Sequence, residues 1–327
     1  MKRIFGFISV AFALLCTGSC QKEYHSILDG DARVSFVVEV PQSVKTKAAI
    51  ASGLNVDILR YEIYGASFDT DRLAYGFVED LSVTPEGKRC FELNLNLVAD
   101  QTYNMVFWAE VKGAGHYDTS NLKNVKINNY DDELSNDESR AAFFAKKTFS
   151  TASPVKETVV LYRPFAQLNF GTETYLSDLT SKGDIEVTGA TVTVTNVATS
   201  FNTVTGEGEG SQTVIFQKAA IPSDPTQLTV KTGGVEKKYH YLAMNYLIVP
   251  ENEANVNVDA VFTTNYGDVL VEVDNVTVKE NFRTNIIGNL LVTGAELDIV
   301  VDDRFVDSAT DVLNPDQNYD DKGNPLQ

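Results

Sequence analysis

Cysteine is scarce in this chain of 327 residues: there are three, Cys16, Cys20 and Cys90. Histidine is equally rare, with only His25, His116 and His240. No pair of histidines has zinc-ligand spacing, and neither HExxH nor CxxC occurs, so neither a metal nor a cofactor is expected. There is no P-loop, no GxSxG and no GxGxxG after a strand. The GEGEG run at 206–210 reads as a turn between strands, and its carboxylates would repel phosphate. Basic residues are also short, 27 Lys and Arg against 45 Asp and Glu, for a net charge of −18. That balance argues against nucleic acid or an anionic membrane surface as partner. After the first residues no apolar run approaches the about eighteen needed for a membrane helix.

The start of the chain does hold a signal. In MKRIFGFISVAFALLCTGSC, Lys2 and Arg3 precede an apolar run from Ile4 to Leu15, and Thr17, Gly18 and Ser19 lead into Cys20. This is a secretory layout, too short to span a bilayer. A cysteine directly after a small-residue cleavage site marks a bacterial lipoprotein, with lipid on the Cys20 thiol. Cys16 is a poor rival because Leu15 is bulky for a cleavage pocket. The competing reading is an ordinary signal peptide cut near Ser19. Each buried CH₂ of an acyl chain adds roughly 0.8 kcal/mol of membrane affinity, so several chains on Cys20 would hold the protein on a membrane. With Cys16 removed and Cys20 acylated, Cys90 remains alone and no internal disulfide can form. Cys90 alternates with Glu92 and Asn94 and is expected to be a partly exposed strand residue.

The rest alternates with period two. Val34, Phe36, Val38 and Val40 share one face; ILRYEIY, FELNLNL and YNMVFWAEV follow the same rule. ETVVLY closes a first set. FAQLNF opens a second, continued by EVTGATVTVTNV, QTVIF, KKYHYLAMNYLIV, ANVNVDAVFTT, DVLVEVDNVTV, FRTNIIGNLLV and LDIVVD. Two short helices are expected, one capped at Ser135–Glu138 and running through Arg140, Ala141, Phe144 and Lys147, the other over Glu173–Thr180. Short strands at close spacing predict an all-β chain of antiparallel sandwiches. The layout is a signal peptide at 1–19, a lipidated tether at 20–31, β-sandwiches at 32–163 and 164–307, and a polar tail at 308–327.

LYRPFAQLNF resembles the Arg-Pro-x-Ala junction of fimbrillin-like proteins, the Bacteroidales-type (type V) pilins. NFRTNIIGNLLVTGAELDIVVDDRF resembles their closing strands, and YDTSNLKNVKIN with NDESRAAFF resembles the middle of their first domain in one subgroup. The resemblance implies tandem transthyretin-like β-sandwiches on the outer membrane surface, and fimbrillin-like subunits as partners. It also implies that the strand after the tether is cut off and replaced by a donor strand from another subunit. ARVSFVVEV occupies the removable position, so Val34, Phe36, Val38 and Val40 form the plug, and Lys45 and Lys47 occupy the cleavage position. The chain departs from the family pattern in two places. No Arg lies between Arg33 and Arg60, and the tail NPDQNYDDKGNPLQ lacks the apolar alternation of a donor strand. That favours a tip or anchor subunit, or a lipoprotein that never polymerises, over a shaft subunit.

Other chemistry is weak. Asp131, Asp132, Glu133, Asp137 and Glu138 read as a solvated loop run rather than a glycosidase pair or calcium loop. Asp307-Ser308-Ala309 matches a short O-glycosylation pattern at Ser308. Trp108 is expected to be buried and Tyr117 exposed. The expected function is non-enzymatic: fimbrial assembly or adhesion by strand complementation. The alternative is a lipid-anchored module that binds host or bacterial surface glycans on loops of the first domain, and a remote hydrolase ranks last.

Overall fold

The computed structural model describes residues 25–26, 30–41, 53–128, 134–173, 185–219, 227–232, 235–291 and 297–304. The first half contains β1 (His25–Ser26), β2 (Ala32–Glu39), β3 (Ile58–Tyr64), β4 (Ala74–Val78), β5 (Leu81–Val83), β6 (Arg89–Leu97), β7 (Thr102–Glu110), β8 (Tyr117–Asp118), β9 (Val125–Ile127), β10 (Ala142–Ser150) and β11 (Val155–Val160). The second contains β12 (Phe165–Thr172), β13 (Val187–Val197), β14 (Ser200–Asn202), β15 (Glu207–Glu209), β16 (Gln212–Ala219), β17 (Gln227–Thr232), β18 (Val235–Ile248), β19 (Glu253–Thr264), β20 (Gly267–Lys279), β21 (Phe282–Gly288) and β22 (Leu297–Arg304).

In the first half, the sheet β1-β6-β2-β11, with β5 on β6, packs against β10-β7-β3-β4. In the second half, β17-β18-β12-β21-β22 packs against β16-β13-β19-β20. The halves repeat one topology: β12 takes the place of β2, β13 of β3, β16 of β4, β18 of β6, β19 of β7, β20 of β10 and β21 of β11. Each half sets its first long strand between an antiparallel and a parallel neighbour, β2 between β6 and β11, β12 between β18 and β21. The fold is all-β, in tandem sandwiches. Period-two alternation explains it, because one parity of each strand is apolar and meets the facing sheet. Phe36, Leu93, Phe107 and Phe143 fill the first core, and Phe170, Val192, Phe216 and Phe262 the second.

A third apolar cluster joins the halves. Phe201 of β14 stands 4.6 Å from Phe144 and 6.1 Å from Trp108, ring centre to ring centre. A small sheet, β15-β14-β9-β8, takes strands from both sides, and the Thr203 hydroxyl donates to the Leu122 carbonyl at 2.8 Å. Arg163, of the Arg-Pro junction, is buried with its guanidinium 4.7 Å from the Phe143 ring. Burial brings it down to about 10; nearby Tyr246 and Glu138 oppose this and Arg283 adds to it. No helix among the described residues is long and apolar enough to cross a membrane.

Three expectations are corrected here. The helix capped at Ser135–Glu138 is only a 3₁₀ turn, Glu138–Arg140, whose cap Asp137 accepts from Ser139 N. The chain then enters β10, because Phe143 faces the first core while Phe144 faces Phe201, and burial on two opposite sides suits a strand. Cys90 is 2% exposed rather than partly exposed: β5 pairs beside it, and Ser82 Oγ lies 3.2 Å from its sulfur. In GEGEG the turn lies earlier, with Glu207–Glu209 forming β15. Of the other expected helix, residues 174–180 lie outside the described residues.

Candidate strand-exchange groove

β2 is an inner strand of its sheet. It pairs antiparallel with β6 at Val34–Leu95, Phe36–Leu93 and Val38–Phe91, and parallel with β11 at Val34–Val155 and Val38–Val159. Val34, Phe36, Val38 and Val40 are all buried in the first core. The Phe36 ring meets Phe149 at 5.1 Å and Phe107 at 6.1 Å, both edge-on. The other face carries Arg33, Ser35, Val37 and Glu39: Ser35 Oγ donates to Asn94 Oδ1 at 2.8 Å, and Lys88 Nζ to Glu39 Oε2 at 2.8 Å. The ladder continues past the strand end, where Val40 N donates to Arg89 O and Leu161 N to Glu39 O.

Both flanks of β2 are structurally marked. Gly30 precedes it so closely against β6 that a Cβ there would lie 1.9 Å from the Leu97 carbonyl carbon. On the far side, Arg89 donates to the Gly53 and Val56 carbonyls, each at 2.9 Å, and so fixes the segment that leads into β3. Burial lowers the Arg89 guanidinium from its ordinary value, and the Asp57 carboxylate opposes this.

Burying the four side chains contributes on the order of 6–12 kcal/mol, at roughly 1.5–3 kcal/mol each. Withdrawing β2 would expose that apolar slot and leave β6 and β11 with unpaired backbone groups facing each other. An incoming strand with the same alternation would satisfy both. β12 holds the matching place in the second half, yet every residue of it is buried, and Phe165 at its start packs 4.9 Å from Tyr246.

The expected site residues divide sharply. Val34, Phe36, Val38 and Val40 lie together in the groove. Cys20, Lys45, Lys47 and Ser308 lie outside the described residues, as do Asp131, Asp132 and Glu133. Lys45 and Lys47 belong to the connection between β2 and β3, whose strands sit in opposite sheets. Among the described residues, no cluster of His, Cys, Asp and Glu could hold a metal ion.

Trp108 is buried, as expected, and its indole donates to Glu110 Oε2 at 3.2 Å. Tyr117 is not the exposed aromatic that its glycine-rich surroundings suggest. It is 8% exposed, lies edge-on to Trp108 at 5.2 Å, and donates from its hydroxyl to the Arg140 carbonyl at 2.6 Å. His116 is part of the same framework. Arg140 Nη1 lies 3.3 Å from His116 Nδ1, and His116 Nε2 lies 2.8 Å from Ser139 Oγ, which donates to Asp137 Oδ1 at 2.6 Å. Arg140 can only donate, so the network assigns the ring proton to Nε2. Burial lowers the imidazole pKa, Arg140 adds to the effect and Asp137 opposes it.

Sequence reasoning missed Tyr75 and Phe77. They occupy one parity of AYGFV, while Ala74 and Val78 pack on the first core. That parity was a usable signal, since the alternation predicts two aromatics on the outer face.

The fold and groove define a tandem β-sandwich protein whose first long strand is held between two others. The chain belongs to a family of unknown function, DUF6562, whose model matches residues 27–324. Among curated proteins none matches the chain. Solved structures similar to it include a fimbrial assembly protein from Parabacteroides distasonis, at 13% identity and a TM-score of 0.48, covering 83% of this chain and 98% of that one. Another is the tip fimbrial protein Mfa3 from Porphyromonas gingivalis, solved with a C-terminal truncation, at 12% identity and a TM-score of 0.43, covering 83% of this chain and 99% of that one.

Proposed function

We propose that this chain is a non-enzymatic surface lipoprotein acting in fimbrial assembly or adhesion as an accessory subunit, at the tip or the anchor. Lipid on Cys20 holds it to the outer membrane. The two sandwiches at 32–163 and 164–307 form its body. Proteolysis after Lys45 or Lys47 severs the covalent link between β2 and the rest. β2 then serves as a plug until a strand from another fimbrillin-like subunit replaces it. O-glycosylation at Ser308, in the tail, is a subsidiary part of the reading.

The observation that carries this reading is the double pairing of β2 together with the burial of its four alternating side chains. A strand so placed holds by non-covalent contacts alone once its connection is cut, and a matching strand can take its place. The test uses the full chain, nicked with trypsin and incubated with an excess of fluorescent peptide carrying residues 32–41. The expected result is uptake of the peptide into the body with release of the original strand. A peptide with Phe36→Glu should not enter. If the nicked body takes up neither peptide, or both equally, the strand-exchange reading is wrong.

A further inference from the structure

A cleft of about 550 Å³ opens on the outer face of β3 and β4, away from the core and from the groove that β2 fills. Its floor alternates charge and aromatic side chains, because Arg60 pairs across the sheet with Phe77 and Glu62 with Tyr75. Tyr75 is 71% exposed and Phe77 60%. Two neighbouring exposed aromatic rings beside polar groups are the kind of patch that marks a binding surface. The far wall comes from Asp118, Ser120 and Asn128.

Both arginines of the cleft are already paired with carboxylates. Arg60 Nε bonds Glu110 Oε1 at 2.8 Å, and Arg72 pairs with the buried Glu62. Arg72 also donates to the Ser120 carbonyl at 2.8 Å, and its guanidinium lies 4.6 Å from the Tyr75 ring centre. It therefore links floor to wall and holds Tyr75 in place. Ser120 N donates to Asp118 Oδ1 at 3.0 Å, which orients that carboxylate. The cleft thus presents two exposed aromatic rings, of which Arg72 holds Tyr75, among planar polar groups, with no excess positive charge to attract an anion.

From this geometry we propose that the β3–β4 cleft binds a neutral oligosaccharide, with Tyr75 and Phe77 as stacking platforms and Arg72, Asp118 and Asn128 meeting its hydroxyls. Aliphatic C–H faces of sugar rings pack on aromatic faces, and the hydroxyl rims need polar partners at the edges. Two platforms a strand repeat apart, about 7 Å, suit consecutive rings of an extended chain better than a single sugar. A strand-forming peptide would instead use the edge of β4, which pairs only with β3 among the described residues, and leave the polar wall without a role. The proposal goes beyond the strand-exchange reading and stands without it, since the cleft and the groove share no residue.

The chain has one tryptophan, Trp108, which abuts Tyr117 beneath the cleft and supplies a fluorescence readout. The test titrates the full chain with cellohexaose, maltohexaose, mannohexaose, a sulfated heparin hexasaccharide and a peptide of residues 32–41, by calorimetry and Trp108 emission. At least one neutral hexasaccharide is expected to bind saturably. Tyr75→Ala and Phe77→Ala should each weaken it by about tenfold without shifting the melting temperature, as loss of one stacking contact implies. The proposal is overturned if no neutral sugar binds, if only the sulfated sugar or the peptide binds, or if both variants bind as the wild type does.

Discussion

The ring of Phe36 meets that of Phe149 edge-on at 5.1 Å, across the space between the two sheets of the first sandwich. Phe36 belongs to β2 and Phe149 to β10, so this contact ties β2 to the facing sheet. Phe36 is fully buried. Phe36→Ala is expected to cost about 3–5 kcal/mol through lost transfer energy and the cavity left behind. Urea unfolding checks this, with the midpoint falling at an unchanged slope. A loss under about 1 kcal/mol would mean that the surrounding side chains close the gap and that β2 is not anchored there.

The connection between β2 and β3 should be the first site of tryptic attack. It carries Lys45 and Lys47, and Arg89 anchors its far end at Gly53 and Val56. A brief digest should give a stable body beginning at Thr46 or Ala48, with the N-terminal piece still bound under native conditions. Lys45→Ala with Lys47→Ala should abolish that product. N-terminal sequencing of the wild-type body decides the matter, and a first cut that leaves a body beginning anywhere other than Thr46 or Ala48 would sink the assignment.

Much of this arrangement is legible from alternation alone. Ile58–Tyr64 is a strand with the bounds its pattern predicts, and Val34–Val40 alternates into the core as its parity requires. What stayed hidden depends on neighbours distant in sequence. Tyr117 is buried because Trp108 offers it a face, and Cys90 because β5 folds beside β6. Asn136 looks like part of a helix start, yet it bonds Met244 of the other half in both directions, N–H to carbonyl and side chain to N–H. Those bonds between halves override the local capping preference. The small sheet β15-β14-β9-β8 escaped notice because strands of two or three residues carry too little periodicity to read.

Phe201 couples the halves, so its removal should uncouple them. Its ring packs on Phe144 and Trp108 of the first half, and its strand pairs with β9. Phe201→Ala is expected to cost about 3–5 kcal/mol and to split thermal unfolding into two transitions, one for each sandwich. Differential scanning calorimetry reads this directly. A single transition at the wild-type temperature would show that the third apolar cluster does not transmit stability between the halves.

His116 should make the protein sensitive to mild acid. Its Nδ1 accepts from Arg140 and Nε2 faces Ser139, an arrangement that fits only the neutral ring. Burial, the largest cause, and Arg140 lower the pKa of the folded state, against the opposing Asp137. The unfolded chain then binds a proton more readily than the folded one, so stability is complete above the ordinary histidine value of about 6.5 and declines as pH falls from there toward the folded-state value. The slope for one such group cannot exceed about 1.4 kcal/mol per pH unit. His116→Gln should remove this component while leaving the titration of the carboxylates in place. The check is the difference in urea midpoint between wild type and variant at pH 7.5, 6.5 and 5.5: the wild type should lose its advantage as the pH drops. A difference that is constant across the three would mean that the ring titrates alike in the folded and unfolded chains, and that neither burial nor Arg140 lowers its pKa.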